Sequence, residues 1–206
     1  MSRSKDSLLI VSFAGHGRHF GTLPRYEFVN FLNKHYKDAS TLFFLDKHMT
    51  WYHDGIDDIT TDMDGTIAYL RDKIQNYDTV VFIGSSAGGY AAVLFGALLD
   101  VSKVIVFKPQ TMLPLGALQM ANRDSPYKDL RIVLESAGKK TQFHVYGDLD
   151  IGTNDSYHHI SQCKNIECFP NVHVSALHGL DLQKMRDSGA LLSIFSKIIP
   201  LKGSIE

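Results

Sequence analysis

Cysteine is nearly absent: Cys163 and Cys168 are the only two in 206 residues, and no Cys-x-x-Cys occurs. That excludes a disulfide framework and fits a reducing compartment, so a cytoplasmic location is expected. Long apolar runs are missing too. Nothing approaches the roughly 20 residues of a membrane-spanning helix, and the opening MSRSKDSLLIVSF is too short in apolar residues for a signal peptide. Neither sign of charge dominates, with 21 Lys and Arg against 22 Asp and Glu and a formal net charge of -1. A nucleic-acid or anionic-membrane partner would want a basic footprint, and there is none to find. Repeats, linkers and low-complexity tracts are also lacking, so a single domain over residues 1–206 is expected. The 44% hydrophobic content is enough to give such a domain a full core.

The chain contains alternating elements. Leu8 to Phe13, Thr79 to Ile83 and Lys103 to Phe107 are unbroken β-branched or aromatic runs, the pattern of strands buried on both faces. Thr41 to Leu45, Thr141 to Tyr146 and Val172 to Leu177 are three further strands. Between them lie helical stretches: Pro24 to Tyr36, Ile67 to Ile74, the Ala- and Leu-rich run after residue 86, Asp129 to Ser136, and Leu182 to Ile199 with a break near Gly189. Strands that alternate with helices predict an α/β, three-layer sandwich built on a mostly parallel sheet of about six strands. The only insertions are residues 46–64 and 111–128, which leaves no room for a large cap domain.

The chemistry centres on Gly84-Ser85-Ser86-Ala87-Gly88, set between a strand and a helix. G-x-S-x-G in that context is a nucleophile elbow, whose flanking glycines let strand and helix approach while the turn pushes the serine out above the sheet. Ser86 is therefore the candidate nucleophile. In an open parallel sheet, ligands bind beyond the carboxyl ends of the strands. An aspartate cluster follows the fifth strand and His178 follows the sixth, so the chain order is Ser, Asp, His, as in this elbow's triads. His178 is the expected base and Asp155 the favoured acid, with Asp150 second and Asp148 third. The oxyanion hole would take its backbone N–H groups from Ala87 and from His16, in the glycine turn after the first strand. His173 and His144, inside strands, read as structural.

Three further segments carry residues with possible chemistry. Asp62-Met63-Asp64-Gly65 echoes a calcium loop but lacks the later ligands and the closing Glu, so no metal is expected, and no cofactor either. Trp51, Tyr52 and His53 read either as a sugar-stacking rim or as residues buried under their loop. The apolar patch from Met112 to Met120 reads as an acyl pocket, a small lid, a dimer contact or an ordinary packed loop.

With these residues in place, the sequence resembles the α/β-hydrolase superfamily of serine esterases and acyltransferases. More narrowly it is similar to small hydrolase-like proteins often found with glycan and surface-polysaccharide genes. Members carry G-S-S-x-G-G-Y, then F-x-P-Q-T, then D-x-x-H, and a histidine ahead of the final helix. The matching positions here are Gly84 to Tyr90, Phe107 to Thr111, Asp155 to His158, and His178. The D-x-x-H match supports Asp155 as the acid. The turn after the first strand, AGHGRHFG, departs from the lipase-like HGGG. The resemblance implies a serine esterase or deacetylase acting on a small or glycan-linked ester through an acyl-Ser86, or an acyltransferase to a sugar hydroxyl. A catalytically silent, partner-binding protein of the same fold is the third class.

Overall fold

The computed structural model describes residues 7–16, 26–113 and 125–201. Its frame is one six-stranded sheet in which every pairing is parallel, as the alternation predicts. The strands are β1 (Leu8–Phe13), β2 (Ser40–Phe44), β3 (Thr79–Ser85), β4 (Lys103–Phe107), β5 (Gln142–Asp148) and β6 (Val172–Leu177), in the order β2-β1-β3-β4-β5-β6. From β1 the chain crosses to β2 on one side and then returns to β3 on the other. The loops leaving β1 and β3 thus diverge at a topological switch point, where this class of sheet opens a crevice for ligands.

The apolar runs are continuous because both faces of the sheet are covered. Along β3, Val80 and Phe82 join one core while Val81 and Ile83 join the other. Leu9, Val11 and Phe13 on β1 and Val104 and Val106 on β4 face the first core; Ile10, Ile105 and Phe107 face the second. Against the first core pack α2 (Met63–Ile74), α3 (Ala87–Leu98), α4 (Leu130–Ser136) and α5 (Ser161–Lys164). The second is closed by α1 (Val29–His35), α6 (Leu182–Asp187) and α7 (Ala190–Ile198), with Phe195 of α7 edge-on to Phe31 of α1. Helix α3 is buried from Ala87 to Ala97, as its nearly uninterrupted apolar sequence requires.

Element ends differ from the sequence reading for identifiable reasons. Helix α2 starts four residues earlier than its apolar stripe suggests, because the Asp62 side chain accepts the Gly65 N–H at 2.7 Å and caps it. This same contact uses the calcium-like segment as a helix start. The C-terminal helix is broken at Gly189, whose φ of 79° ends one helix and begins the next. Pro24, expected to open α1, lies outside the described residues. Among the described residues no helix is long and apolar enough to cross a membrane.

Candidate active site

Ser86 follows β3 with φ 55° and ψ -122°, a positive-φ backbone that a non-glycine residue adopts only under constraint. The constraint is local and complete. The Ser86 N–H donates to the Phe107 carbonyl at 3.0 Å, and the Ser86 carbonyl accepts from Tyr90 N–H at 3.0 Å as α3 begins. Room for so tight a reversal comes from glycine. A Cβ at Gly84 would lie 2.2 Å from the Gly88 carbonyl oxygen, and one at Gly88 would lie 2.1 Å from that of Phe13. The Ser86 hydroxyl caps no helix N–H. It is left free to meet a base.

The group it meets is the imidazole of His158. Its Nε2 lies 2.8 Å from Ser86 Oγ, and its Nδ1 lies 3.0 Å from Asp155 Oδ2. Asp155 Oδ1 also accepts the backbone N–H groups of Tyr157 and His158, both at 3.2 Å, so one carboxylate caps a turn and orients the ring on it. Burial pushes the Asp155 carboxyl up, but the bonds from the His158 ring, the charge that ring can carry and the two backbone N–H groups outweigh it and hold the group below its usual range. A carboxylate accepting from Nδ1–H leaves Nε2 as the acceptor that a serine hydroxyl needs.

His178, expected to face Ser86, does not. Its Nδ1 sits 2.7 Å from Asp150 Oδ1 in an exposed pair, whose hydrogen bond lowers the Asp150 carboxyl. The reason is reach. β6 is an edge strand three places from β3, a separation of roughly 14 Å at sheet spacing. Only residues 178–181 connect β6 to α6, and that connection is pinned: Leu180 N–H donates to Asp148 Oδ2 and its carbonyl accepts from Lys108 Nζ. Asp148 is thereby a buried strut and Asp150 a surface partner; of the three candidate acids it is Asp155 that bonds the ring facing Ser86. The sequence signal for His158 was present in D-x-x-H, a spacing that puts both side chains on one turn.

The turn after β1 lies against the elbow. A Cβ at Gly15 would come 2.8 Å from the Ser85 carbonyl oxygen and 3.5 Å from Ser86 Cβ. Tyr52 Oη holds this turn by donating to the Ala14 carbonyl at 2.9 Å. The His16 ring bonds Asp46 Oδ2 through Nε2 at 2.9 Å and meets the Trp51 ring edge-on. Ala87, fully buried, is the first residue of α3, where unpaired N–H groups and the helix dipole favour negative charge. Gly17 lies outside the described residues.

Glu27 is a neighbour that sequence reasoning missed. Gly15 N–H bonds its carboxylate, while Oε2 is buried with no hydrogen-bond partner among the described residues. Burial pushes this carboxyl up to about 7, against the pull of the Gly15 N–H and of Arg186 and Lys108. A carboxyl raised on folding stabilises fully below its unfolded value of 4.5, and that contribution is lost as pH climbs to about 7. Glu27→Gln is therefore expected to raise the melting temperature by about 5 °C or more at pH 8.5 and to give no gain at pH 4.5. Thermal melts at the two pH values check it; equal shifts at both would contradict a buried, titrating carboxyl.

Trp51, Tyr52 and His53 are buried, so the platform of exposed rings is not there. Trp51 instead stacks on Tyr157 (centroids 6.4 Å apart, planes 11° apart) and donates its Nε1–H to Gln110 Oε1 at 2.6 Å. His53 Nε2 lies 2.8 Å from Tyr90 Oη. A cleft of about 440 Å³ runs past His53, Asp62, Asp64 and Tyr127, and neither Ser86 nor His158 lines it. Of the expected apolar patch, Leu115, Leu118 and Met120 lie outside the described residues. Among the described residues no cluster of three His, Cys, Asp or Glu could hold a metal.

No protein-family model matches the sequence, and no curated protein matches it either. Solved structures do match it in shape. The capsule O-acetyltransferase of Neisseria meningitidis serogroup A superposes with a TM-score of 0.65 at 18% identity, over 91% of this chain and 88% of that one. A chain of the Glycosylation Associate Protein (Gap123) complex from Streptococcus agalactiae gives 0.61 at 14% identity, over 96% of this chain and 43% of its own. XC6422 from Xanthomonas campestris, a serine hydrolase without lid, gives 0.51 at 12% identity, over 97% and 87%. With its all-parallel sheet, its strained serine just past β3 and these neighbours, the chain has the α/β-hydrolase fold.

Proposed function

We propose that the protein is a serine hydrolase that cleaves an O-acyl ester through an acyl-enzyme on Ser86. The observation that carries this reading is the unbroken chain Ser86 Oγ to His158 Nε2 to Asp155, at 2.8 and 3.0 Å. His158 takes the Ser86 proton as Oγ attacks the ester carbonyl, and Asp155 steadies the imidazolium that forms. The N–H of Ala87, with that of His16, receives the charge developing on the carbonyl oxygen. As the tetrahedral intermediate collapses, His158 Nε2–H gives its proton to the departing alcohol. Water, deprotonated by the same nitrogen, then releases the acid.

A second acceptor is favoured by one comparison. The likeness to a capsule O-acetyltransferase supports a sugar hydroxyl taking the place of water in the last step, which would make the protein an acyltransferase. Both readings share the acyl-Ser86 and take an acylated sugar or small molecule as donor. Incubation with a fluorophosphonate probe tests that shared step. Wild type is expected to label on Ser86 and Ser86→Ala to stay unlabelled; equal labelling of the two would end the proposal. The acceptor is then read from products formed with a sugar present, as free acid or as a new sugar ester.

A further inference from the structure

We propose that Gln110 touches the substrate: its carboxamide N–H donates to the alkoxy oxygen, leaving or incoming, that exchanges a proton with His158. This rests on the acyl-Ser86 reading above and says where the alcohol side of the ester lies.

The orientation of the carboxamide is decided by a neighbour. The indole Nε1–H of Trp51 can only donate, so the Gln110 atom 2.6 Å from it is the oxygen, and the amino group points the other way, toward His158. Trp51 cannot easily turn aside, being buried between Tyr157 and His16. Gln110 is itself 5% exposed, so its donor has little access to bulk water. Its contact among the described residues is a long one, Nε2 to His158 Nε2 at 3.4 Å.

That contact is a poor hydrogen bond for a definite reason. With Nδ1–H on Asp155, the imidazole has one in-plane lone pair on Nε2, and Ser86 Oγ–H occupies it at 2.8 Å. Once His158 is protonated, Nε2 becomes a donor and Gln110 Nε2 has nothing to offer it. Among the described residues, a buried amide donor therefore stands without a good acceptor in both protonation states, a costly arrangement unless something fills it. An oxygen facing both nitrogens from one side, at ordinary hydrogen-bond distance from each, would satisfy both. In the acylation step that oxygen is the alkoxy oxygen of the ester. The C–O bond breaks, the electron pair stays on oxygen, the proton on His158 Nε2 moves to it, and Gln110 donates throughout. In the second half-reaction the incoming hydroxyl accepts from Gln110 while giving its proton to His158, its oxygen bonds the acyl carbon, and the bond to Ser86 Oγ breaks as Oγ takes that proton back from His158 Nε2.

The test compares leaving groups. An alkyl or sugar acetate needs its departing oxygen helped, whereas p-nitrophenolate leaves readily unaided. Gln110→Leu, and Gln110→Glu, which keeps the shape and the bond from Trp51 but carries no N–H, are each assayed for kcat/KM on both ester types. Each variant is expected to lose at least 10-fold more on the alkyl or sugar acetate than on p-nitrophenyl acetate, with the loss in kcat rather than KM. Trp51→Phe, which frees the carboxamide to rotate, is expected to show the same selectivity change in smaller degree. Equal losses on both esters, or wild-type selectivity in Gln110→Glu, would overturn the assignment. Fluorophosphonate labelling separates the two levels: if wild type labels at Ser86 and selectivity does not move, Gln110 is misassigned while the nucleophile stands; if wild type does not label, the acyl-enzyme itself is wrong.

Discussion

His158→Ala is expected to slow ester cleavage and fluorophosphonate labelling by about 10³-fold or more, and His178→Ala by less than about 3-fold. The asymmetry follows from geometry. His158 is the imidazole within 2.8 Å of the nucleophile, and His178 bonds Asp150 on the surface beyond the edge strand. Without a base at Nε2, Ser86 must lose its proton to water, and the departing alkoxide finds no proton waiting. Asp155→Asn should follow His158→Ala, because an amide can present its N–H to Nδ1 and favour the tautomer with the proton on Nε2, where it opposes the serine hydroxyl. Asp150→Asn should follow His178→Ala. Initial rates for the four variants decide the matter. If His178→Ala proved the crippled variant, β6 would have to supply the base and the turn at residues 155–158 would be structural.

Gly88→Ala is expected to be the most damaging small change in the molecule. The added Cβ would stand 2.1 Å from the Phe13 carbonyl oxygen and 2.8 Å from the carbonyl carbons of Phe13 and Ala14. These are backbone atoms at and just past the end of β1, so no side chain can swing away to relieve the overlap. Helix α3 would have to lift from β1, and α3 is the helix buried along almost its whole length. A loss of about 4 kcal/mol or more is expected, seen as soluble protein melting about 10 °C or more below wild type, or as no soluble protein. Gly152→Ala is the control, since its Cβ would meet only the Asn154 side chain at 3.0 Å, and it should melt within about 2 °C of wild type. A Gly88→Ala protein as stable as that control would mean the elbow is looser than described.

The strands were legible because burial on both faces forces a run of β-branched and aromatic residues, and Val80 to Ile83 could hardly be anything else. The elbow was legible because steric room at Gly84 and Gly88 is a local requirement written as glycine. What did not show depends on tertiary contacts. The base was assigned by the position its strand holds in the chain, whereas the length of the connection after that strand decides whether it can reach. The segment at residues 46–64 carries Met49, Trp51, Tyr52 and Asp58 at positive φ, conformations that non-glycine residues take under outside constraint and that no residue preference foretells. Through that segment Trp51 comes to Gln110, and nothing in the spacing of residues 51 and 110 announces the meeting. Glu27 escaped notice for a similar reason: an acidic residue beside a helical stripe ordinarily faces water.

Asp155 and His158, the proposed acid and base, occupy a single turn, three residues apart, instead of arriving from two strands. The dyad is therefore short-range in the chain, and its internal geometry is fixed by the same carboxylate that closes the turn. Only one long-range distance has to be kept for the relay to work, that from residue 86 to residue 158. A protein with base and acid on separate loops must hold two. Drift of β6 or of the C-terminal helices can leave the proposed relay intact, so the edge strand β6 is free to diverge in sequence without disturbing proton transfer, while the ends of β3 and β5 are not.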